Sequence, residues 1–455
     1  MDLFPSQREA VQFLGYDGGI LAYGPGTGKT ATALTWLRER QEPDETALIV
    51  CPKVQVGHWR QQAEVWYPEC DLIPMVGTAK HRAQARDRAG RLSGSQEGPA
   101  ALLTTYESMR QDYEALVKPM FGGLFVFDEA HRLKNRAAQV TKAAKKLTRN
   151  ASAVAHLTGT PIMNAAEELW SLLNILDPKR YSSFWRWVNY YFDVEQTTFN
   201  YRLPRPVTVI HGVKPHRLAE LREEIREYLL YRTLRDLVDL PPLLHAMIPV
   251  VLSPKERKAY DQMEKHSWME VEGQIVQAEN EVARNVRLRQ LASEWGAFEA
   301  EGLGTKATAT VEVVRDLVAQ GEQVVVLAAY KATVEAVATN LMGSKDLKVG
   351  TYTGDISQKH RDILRQEFID GDLNVLVGTL ATMGEGIDGL QVARHLVMVD
   401  RDWTPARNDQ AIGRLLRRGQ DRPVVVHHVY AEGTIDEDVA QSCARKTETI
   451  ESVMP

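Results

Sequence analysis

Two short stretches carry the residue types that phosphate chemistry needs. The first, ILAYGPGTGKTATAL at 20–34, is an apolar run, a glycine-rich turn and then a helical pattern that opens at Lys29 and Thr30. Backbone N–H groups of such a turn, with the N-terminus of the helix, bind phosphate; Lys29 reaches the β and γ phosphates and Thr30 offers a hydroxyl to magnesium. The strict pattern puts glycine at position 23, where this chain has Tyr23, but Gly26, Gly28, Lys29 and Thr30 keep the physical core. The second stretch, LFVFDEAHRLKN at 124–135, ends an apolar run on two carboxylates. Phosphoryl transfer to water needs magnesium held from a second side and a water oriented in line. Asp128, at the carboxyl end of a neighbouring strand, suits the first task, and Glu129 suits polarising the water.

The elements that must position these groups are legible as short apolar runs alternating with amphipathic stretches. ALIVCP (47–52), ALLTTY (101–106), LFVFDE (124–129) and AVAHLTGTP (153–161) describe one buried parallel sheet. The same grammar returns in QVVVLAAY (323–330), KVGTYTG (348–354), LNVLVGT (373–379), HLVMVD (395–400) and VVVHHVY (424–430), which implies a second α/β domain. Between them, residues 162 to about 300 read as mostly helical inserted material; its aromatic run FWRWVNYYF (184–192), and Trp403 further on, are assigned to core rather than to base stacking. LPP at 240–242 stops a helix, and EGLGTK at 301–306 is the entry to the second sheet.

Bulk numbers bound the partners. With 455 residues, 44% hydrophobic and 25% charged, the chain is ordinary for a globular protein of roughly two or three domains. A net charge of -5 argues against non-specific adhesion to polyanions while allowing a local basic cleft. Cys51, Cys70 and Cys443 lie far apart with no CxxC spacing, which disfavours a zinc cluster or a disulfide framework. The N-terminal MDLFPSQREA has no apolar signal region, and no uncharged run approaches the roughly 20 residues that cross a bilayer. A cytoplasmic protein without a membrane partner is expected.

Nine ordered segments share a family pattern: FPSQREAVQFL, YGPGTGKT, CPKVQVGHWRQQAEVW, LLTTYESM, DEAHRLKN, LTGTPIMNAAEELWSLLNIL, RTLRDLVDLPPLL, VGTLATMGEGIDGL and DRDWTPARNDQAIGRLLRRGQ. In this the chain resembles the Swi/Snf-type DNA translocases of helicase superfamily two. The resemblance implies two RecA-like parallel-sheet lobes of an α/β protein, with helical insertions between the motor segments. Lobe 1 is expected at 1–235 with an insertion at about 175–235, and lobe 2 at 236–455 with an insertion at about 252–300. It implies ATP and Mg2+ as cofactors, Gln7 as the adenine reader, and Thr27, Gly386 and Asp388 as further nucleotide contacts.

The last segment places Arg414 and Arg417 three apart on one helical face, so that both point the same way, and if that face closes on the first domain's nucleotide they act as arginine fingers worth about a thousandfold or more in rate. His131, Thr158, Thr160 and Gln410 are implied as couplers between nucleotide state and the other lobe, and Lys53, Thr104, Thr105, Lys134 and Thr379 as contacts to the DNA backbone. The implied track is double-stranded DNA gripped without regard to sequence. The chain departs from the family at Tyr23 and Gly24, where an Asp-Glu pair is usual, at Ser6, where Tyr is usual, and at Asp388, where Asn is usual. The first two bear on contacts at the nucleotide edge and the third on coupling to DNA.

Two rivals stand beside the translocase: a strand-separating or fork- and branch-remodelling helicase, and a targeting subunit that uses ATP only as a switch for a partner nuclease or modification enzyme. The motor segments fill the chain without an added recognition module, which leaves targeting to a protein partner and suggests a bacterial, archaeal or viral source.

Overall fold

The computed structural model describes residues 2–24, 26–42, 45–92, 98–197, 207–271, 274–298, 303–344, 346–384 and 387–455. They form two compact units, one of Met1–Leu237 with Thr447–Pro455 and one of Val238–Lys446.

The first unit is built on a seven-stranded sheet. Its strands are β1 (Gly18–Tyr23), β2 (Ala47–Cys51), β3 (Asp71–Met75), β4 (Ala100–Thr105), β5 (Leu124–Asp128) and β6 (Ala153–Thr158). After a hairpin of β7 (Phe192–Thr197) and β8 (Val207–Val213), β9 (Leu229–Arg232) completes it in the order β3-β4-β2-β5-β6-β1-β9. Every pairing in that sheet is parallel. Alternate residues of one strand enter opposite cores: Phe125 and Phe127 join the cluster with Ile20 and Val50, whereas Leu124 and Val126 join the cluster with Leu21 and Ile49. Both faces are therefore dry, which is why these strands read as continuous apolar runs rather than alternating ones.

The second unit opens with β10 (Leu243–Val250), followed by a hairpin of β11 (Trp268–Val271) and β12 (Gln274–Gln277). Five strands follow: β13 (Val324–Ala328), β14 (Val349–Tyr352), β15 (Val375–Thr379), β16 (His395–Met398) and β17 (Val424–Ala431). The sheet order is β10-β17-β16-β13-β15-β14, again parallel throughout.

Three strands of the two large sheets have no counterpart in the runs named from sequence. β3 contains Pro74 and is half-exposed at one edge, β9 is four residues at the other, and β10 is an edge strand carrying Pro249. Edge strands need no continuous apolar character, so the pattern that finds buried strands passes over them. The inserted segments are also less helical than expected, because each holds an antiparallel hairpin beside its helices. Of the aromatic run, Trp187, Tyr191 and Phe192 are core, while Trp185 and Tyr190 stay exposed.

Two buried histidines give the fold an acid limit. His156 of β6 is fully buried with its ring 5.4 Å from that of Phe127, and burial holds it down at about 3. His428 accepts at Nδ1 from Arg401 Nε at 3.0 Å, which leaves its Nε2 proton for His245 Nδ1 at 2.9 Å. Burial, then the Arg401 charge, hold it at about 3 as well. Unfolding frees both to ordinary values near 6.5, so the unfolded chain takes up protons that the folded chain refuses. Stability is thus complete above about pH 6.5 and falls by up to about 1.4 kcal/mol per pH unit per histidine as pH drops towards about 4. Denaturant midpoints are expected to be clearly lower at pH 5 than at pH 7.5. Equal midpoints would show that the rings are solvated.

Candidate nucleotide site

The carboxyl ends of β1, β2, β4, β5 and β6 lie level in the sheet: Ala22 stands opposite Thr158, Asp128 opposite Leu157, and Cys51 opposite Thr105. Open parallel sheets bind ligands along this edge. The turn after β1 enters the helix α2 (Lys29–Arg40) through Gly26 at φ +76° and Gly28 at φ +83°. Gly28 is favoured there by its left-handed backbone, and a Cβ would stand 2.0 Å from Gln7 Nε2 and displace the tip of that side chain. Gln7 itself donates from Nε2 to Thr27 O at 3.3 Å and accepts at Oε1 from Phe4 N at 2.9 Å, so it is seated directly on the turn. Lys29 Nζ donates to the carbonyls of Tyr23 at 2.8 Å and Gly24 at 3.0 Å, and Thr27 Oγ1 donates to Gly24 O at 2.8 Å. Two of the departures from the family pattern meet each other, since Tyr23 OH donates to Ser6 O at 2.9 Å.

Asp128, the last residue of β5, is 5% exposed. Burial, and then the neighbouring Glu129 charge, raise its carboxyl above the ordinary range, while a hydrogen bond from Trp59 and the Lys29 charge oppose them. Trp59 Nε1 donates to Asp128 Oδ2 at 2.8 Å, Glu129 N donates to Oδ1 at 3.1 Å, and Tyr106 OH donates to the Asp128 main-chain oxygen at 2.6 Å. A carboxylate this dry asks for a cation. Among the described residues no group of three or more His, Cys, Asp or Glu could hold a metal by itself. Magnesium fits that pattern, because it is typically bound through one or two carboxylates with the remaining oxygens supplied by phosphate and water.

Glu129 lies in the left-handed region at φ 53°, ψ 50°, a conformation that costs a non-glycine residue on the order of 1–3 kcal/mol. Such strain concentrates at functional positions, and sequence alone gave no sign of it. His131 Nδ1 lies 3.2 Å from Glu129 Oε2 and 3.4 Å from Thr158 Oγ1, and the Thr160 N–H reaches Thr158 Oγ1 at 3.1 Å. The structure therefore brings His131, Thr158 and Thr160 together behind Glu129.

The expected DNA contacts divide. Lys53 is exposed at the start of a 3₁₀ turn after β2, and Thr379 is partly exposed at the end of β15 with its hydroxyl 2.7 Å from that of Thr382. Thr104 is a correction: it is fully buried and its hydroxyl is given to Met75 O at 2.9 Å, because its strand position points it into the sheet next to β3. Thr105 caps the helix Tyr106–Val117 by accepting from Ser108 N at 3.2 Å. Lys134 pairs with Glu168 at 3.1 Å.

In the second unit the helix Pro405–Ile412 ends before the arginine pair, so Arg414 and Arg417 stand on the turns that follow rather than on a helical face. The adjacent Leu415 and Leu416 are both buried on those turns. The two arginines nonetheless converge. Arg417 reaches Asp388 Oδ1 at 2.5 Å, and Arg414 lies 3.5 Å from the same oxygen while donating to Gly384 O at 2.8 Å. Gln410 is buried on the preceding helix, and Gly386 lies outside the described residues.

Comparison with known proteins adds the ancestry. The SNF2-related domain matches residues 7–294, and the helicase conserved C-terminal domain matches 306–419. The chain belongs to the SNF2-related family. This SNF2-related chain is 25% identical over 437 residues to a Bacillus subtilis protein named as an ATP-dependent helicase/translocase, YwqA, with 93% of this chain and 45% of that one covered. It is 27% identical over 459 residues to Protein CHROMATIN REMODELING 5 of Arabidopsis thaliana, covering 94% of this chain and 25% of that protein. It thus spans less than half the length of these curated relatives. The SWI2/SNF2 ATPase core of Sulfolobus solfataricus, solved in complex with dsDNA, is 20% identical with a TM-score of 0.43, over 100% of this chain and 97% of that one.

Residues that sequence reading left out are Trp59 and Tyr106. The segments GHWRQQ and TTYESM contain them, but nothing local to either announces a donor aimed at a residue on another strand.

Proposed function

We propose that the chain is an ATP-driven motor that moves along double-stranded DNA by its phosphate backbone. The observation that carries this reading is the convergence of Lys29, Asp128 and Glu129 at the carboxyl edge of one parallel sheet, with an arginine pair held on the loop of a second. Family membership and the relatives' names, a helicase/translocase and a chromatin-remodelling protein, support DNA as the track.

Bound ATP with magnesium supplies the phosphoanhydride bond and the cation that screens its charge. Lys29 exchanges the Tyr23 and Gly24 carbonyls for phosphate oxygens, and Thr30 with Asp128 holds the cation's side of the site. Glu129 orients the attacking water and draws on its proton, backed by His131. Arg414 and Arg417 are brought onto the developing charge when the two units close, and the closing and opening shift the grip on the track once per turnover. Lys53 and Thr379 offer side-chain contacts to that track, while Thr105 offers only its helix start.

The test compares ATPase stimulation by duplex DNA, single-stranded DNA and duplex RNA, alongside displacement of a third strand from a triplex. Duplex DNA is expected to stimulate most, with displacement but no unwinding, and to lose affinity steeply as salt rises. Unwinding of a plain duplex would replace the translocase with a strand-separating helicase. Stimulation by RNA alone would overturn the choice of track, and ATP binding without stimulated turnover would leave only a switch.

A further inference from the structure

We propose that Trp59 is a positioning residue that ties the exposed Lys53–Gln55 turn to the carboxylate Asp128, so that contact of that turn with the track is felt at the metal side of the nucleotide site. The inference rests on the reading of the chain as a DNA-stimulated ATPase, and deepens it by naming the link.

The connection is short and rigid. The 3₁₀ turn Lys53–Gln55 leads without a break into the helix α3 (Val56–Trp66). Lys53 and Val54 are exposed at its start, whereas Trp59, in the first turn of the helix, is fully buried. An indole has one polar group, a donor, and here it reaches Asp128 Oδ2 at 2.8 Å. A buried indole N–H needs an acceptor whatever its role, and the acceptor chosen here is the acidic residue that ends β5. The same residue is held a second time: Tyr106, the first residue after β4, donates to its main-chain oxygen at 2.6 Å. The segments that follow β2 and β4 therefore both reach Asp128 through an aromatic donor, one to its side chain and one to its backbone. With Glu129 N on Oδ1, the carboxylate has little rotational freedom, and each oxygen keeps a further lone pair for a cation. A displacement of the Lys53–Gln55 turn moves α3, and the indole passes it to Oδ2.

Trp59→Phe, made in the full chain, removes the donor and keeps an aromatic ring. Partners that orient a metal-binding carboxylate are worth about 10- to 100-fold in metal affinity. The magnesium concentration that half-saturates binding of a fluorescent non-hydrolysable ATP analogue is therefore expected to rise about tenfold or more, while the analogue's affinity in chelator changes far less. The ratio of duplex-stimulated to DNA-free ATPase is expected to fall with it. If the phenylalanine variant loses its cooperative melting, benzothienylalanine at 59 replaces it, since that side chain matches indole in shape and lacks the N–H. An unchanged magnesium requirement, with stimulated and DNA-free rates reduced by one common factor, would make Trp59 a core residue and end the proposal. If the unmodified chain is not stimulated by any nucleic acid, the motor reading fails by itself, and the magnesium titration still decides whether Trp59 positions Asp128.

Discussion

Glu129→Gln is expected to stop ATP turnover while the protein still holds ATP. The amide matches the carboxylate in shape and keeps the packing beside His131, whose Nδ1 lies 3.2 Å from Oε2, so the left-handed backbone and its neighbours have no reason to rearrange. What is lost is the negative charge that polarises water, and a positioned general base contributes about 10²- to 10⁴-fold. Lys29, the glycine turn and Asp128 are untouched, so nucleotide affinity should survive. Steady-state hydrolysis measured beside retention of labelled ATP separates the two effects. Hydrolysis at the unmodified rate would remove Glu129 from the chemistry, and loss of ATP binding would mean that it supports the site rather than acts in it.

The second large effect is expected at Arg417→Ala: ATP and DNA still bind, but DNA-stimulated hydrolysis falls by about a thousandfold, equivalent to about 4 kcal/mol of transition-state stabilisation. Arg417 is the cleaner of the two arginines to remove. Its recorded side-chain partner is Asp388, itself well exposed, whereas Arg414 also donates to the Gly384 carbonyl and its loss would disturb the loop. Normal stimulated turnover in Arg417→Ala would take this residue out of the reaction, and with it the idea that the second unit completes the site.

The parts of the site that could be read from sequence were those written in consecutive residues. A strand, a glycine turn and Lys-Thr opening a helix are a local grammar, and Asp128–Glu129 closing an apolar run is another. The buried strands were equally plain, since two covered faces force unbroken apolar runs. What sequence could not show are contacts between residues far apart in the chain. The Trp59–Asp128 hydrogen bond spans 69 positions, and no periodicity encodes it. Thr104 shows the converse: a hydroxyl beside a motif looks available until the register places Met75 opposite and its carbonyl accepts the hydroxyl's hydrogen bond. The helix that was expected to carry the arginines ends at Ile412, with Gly413 at its C-cap. Edge strands and hairpins escaped because their half-exposed residues have no single pattern to obey.

Lys29 and Arg417 share a circumstance. Each is satisfied by an oxygen of its own unit, the first by loop carbonyls and the second by Asp388. These contacts quench the two groups, which present little bare field to passing anions. Binding proceeds by exchange rather than by filling a vacuum, so a ligand displaces these internal stand-ins only if it can replace several of them together, which favours a polyphosphate over a single stray phosphate.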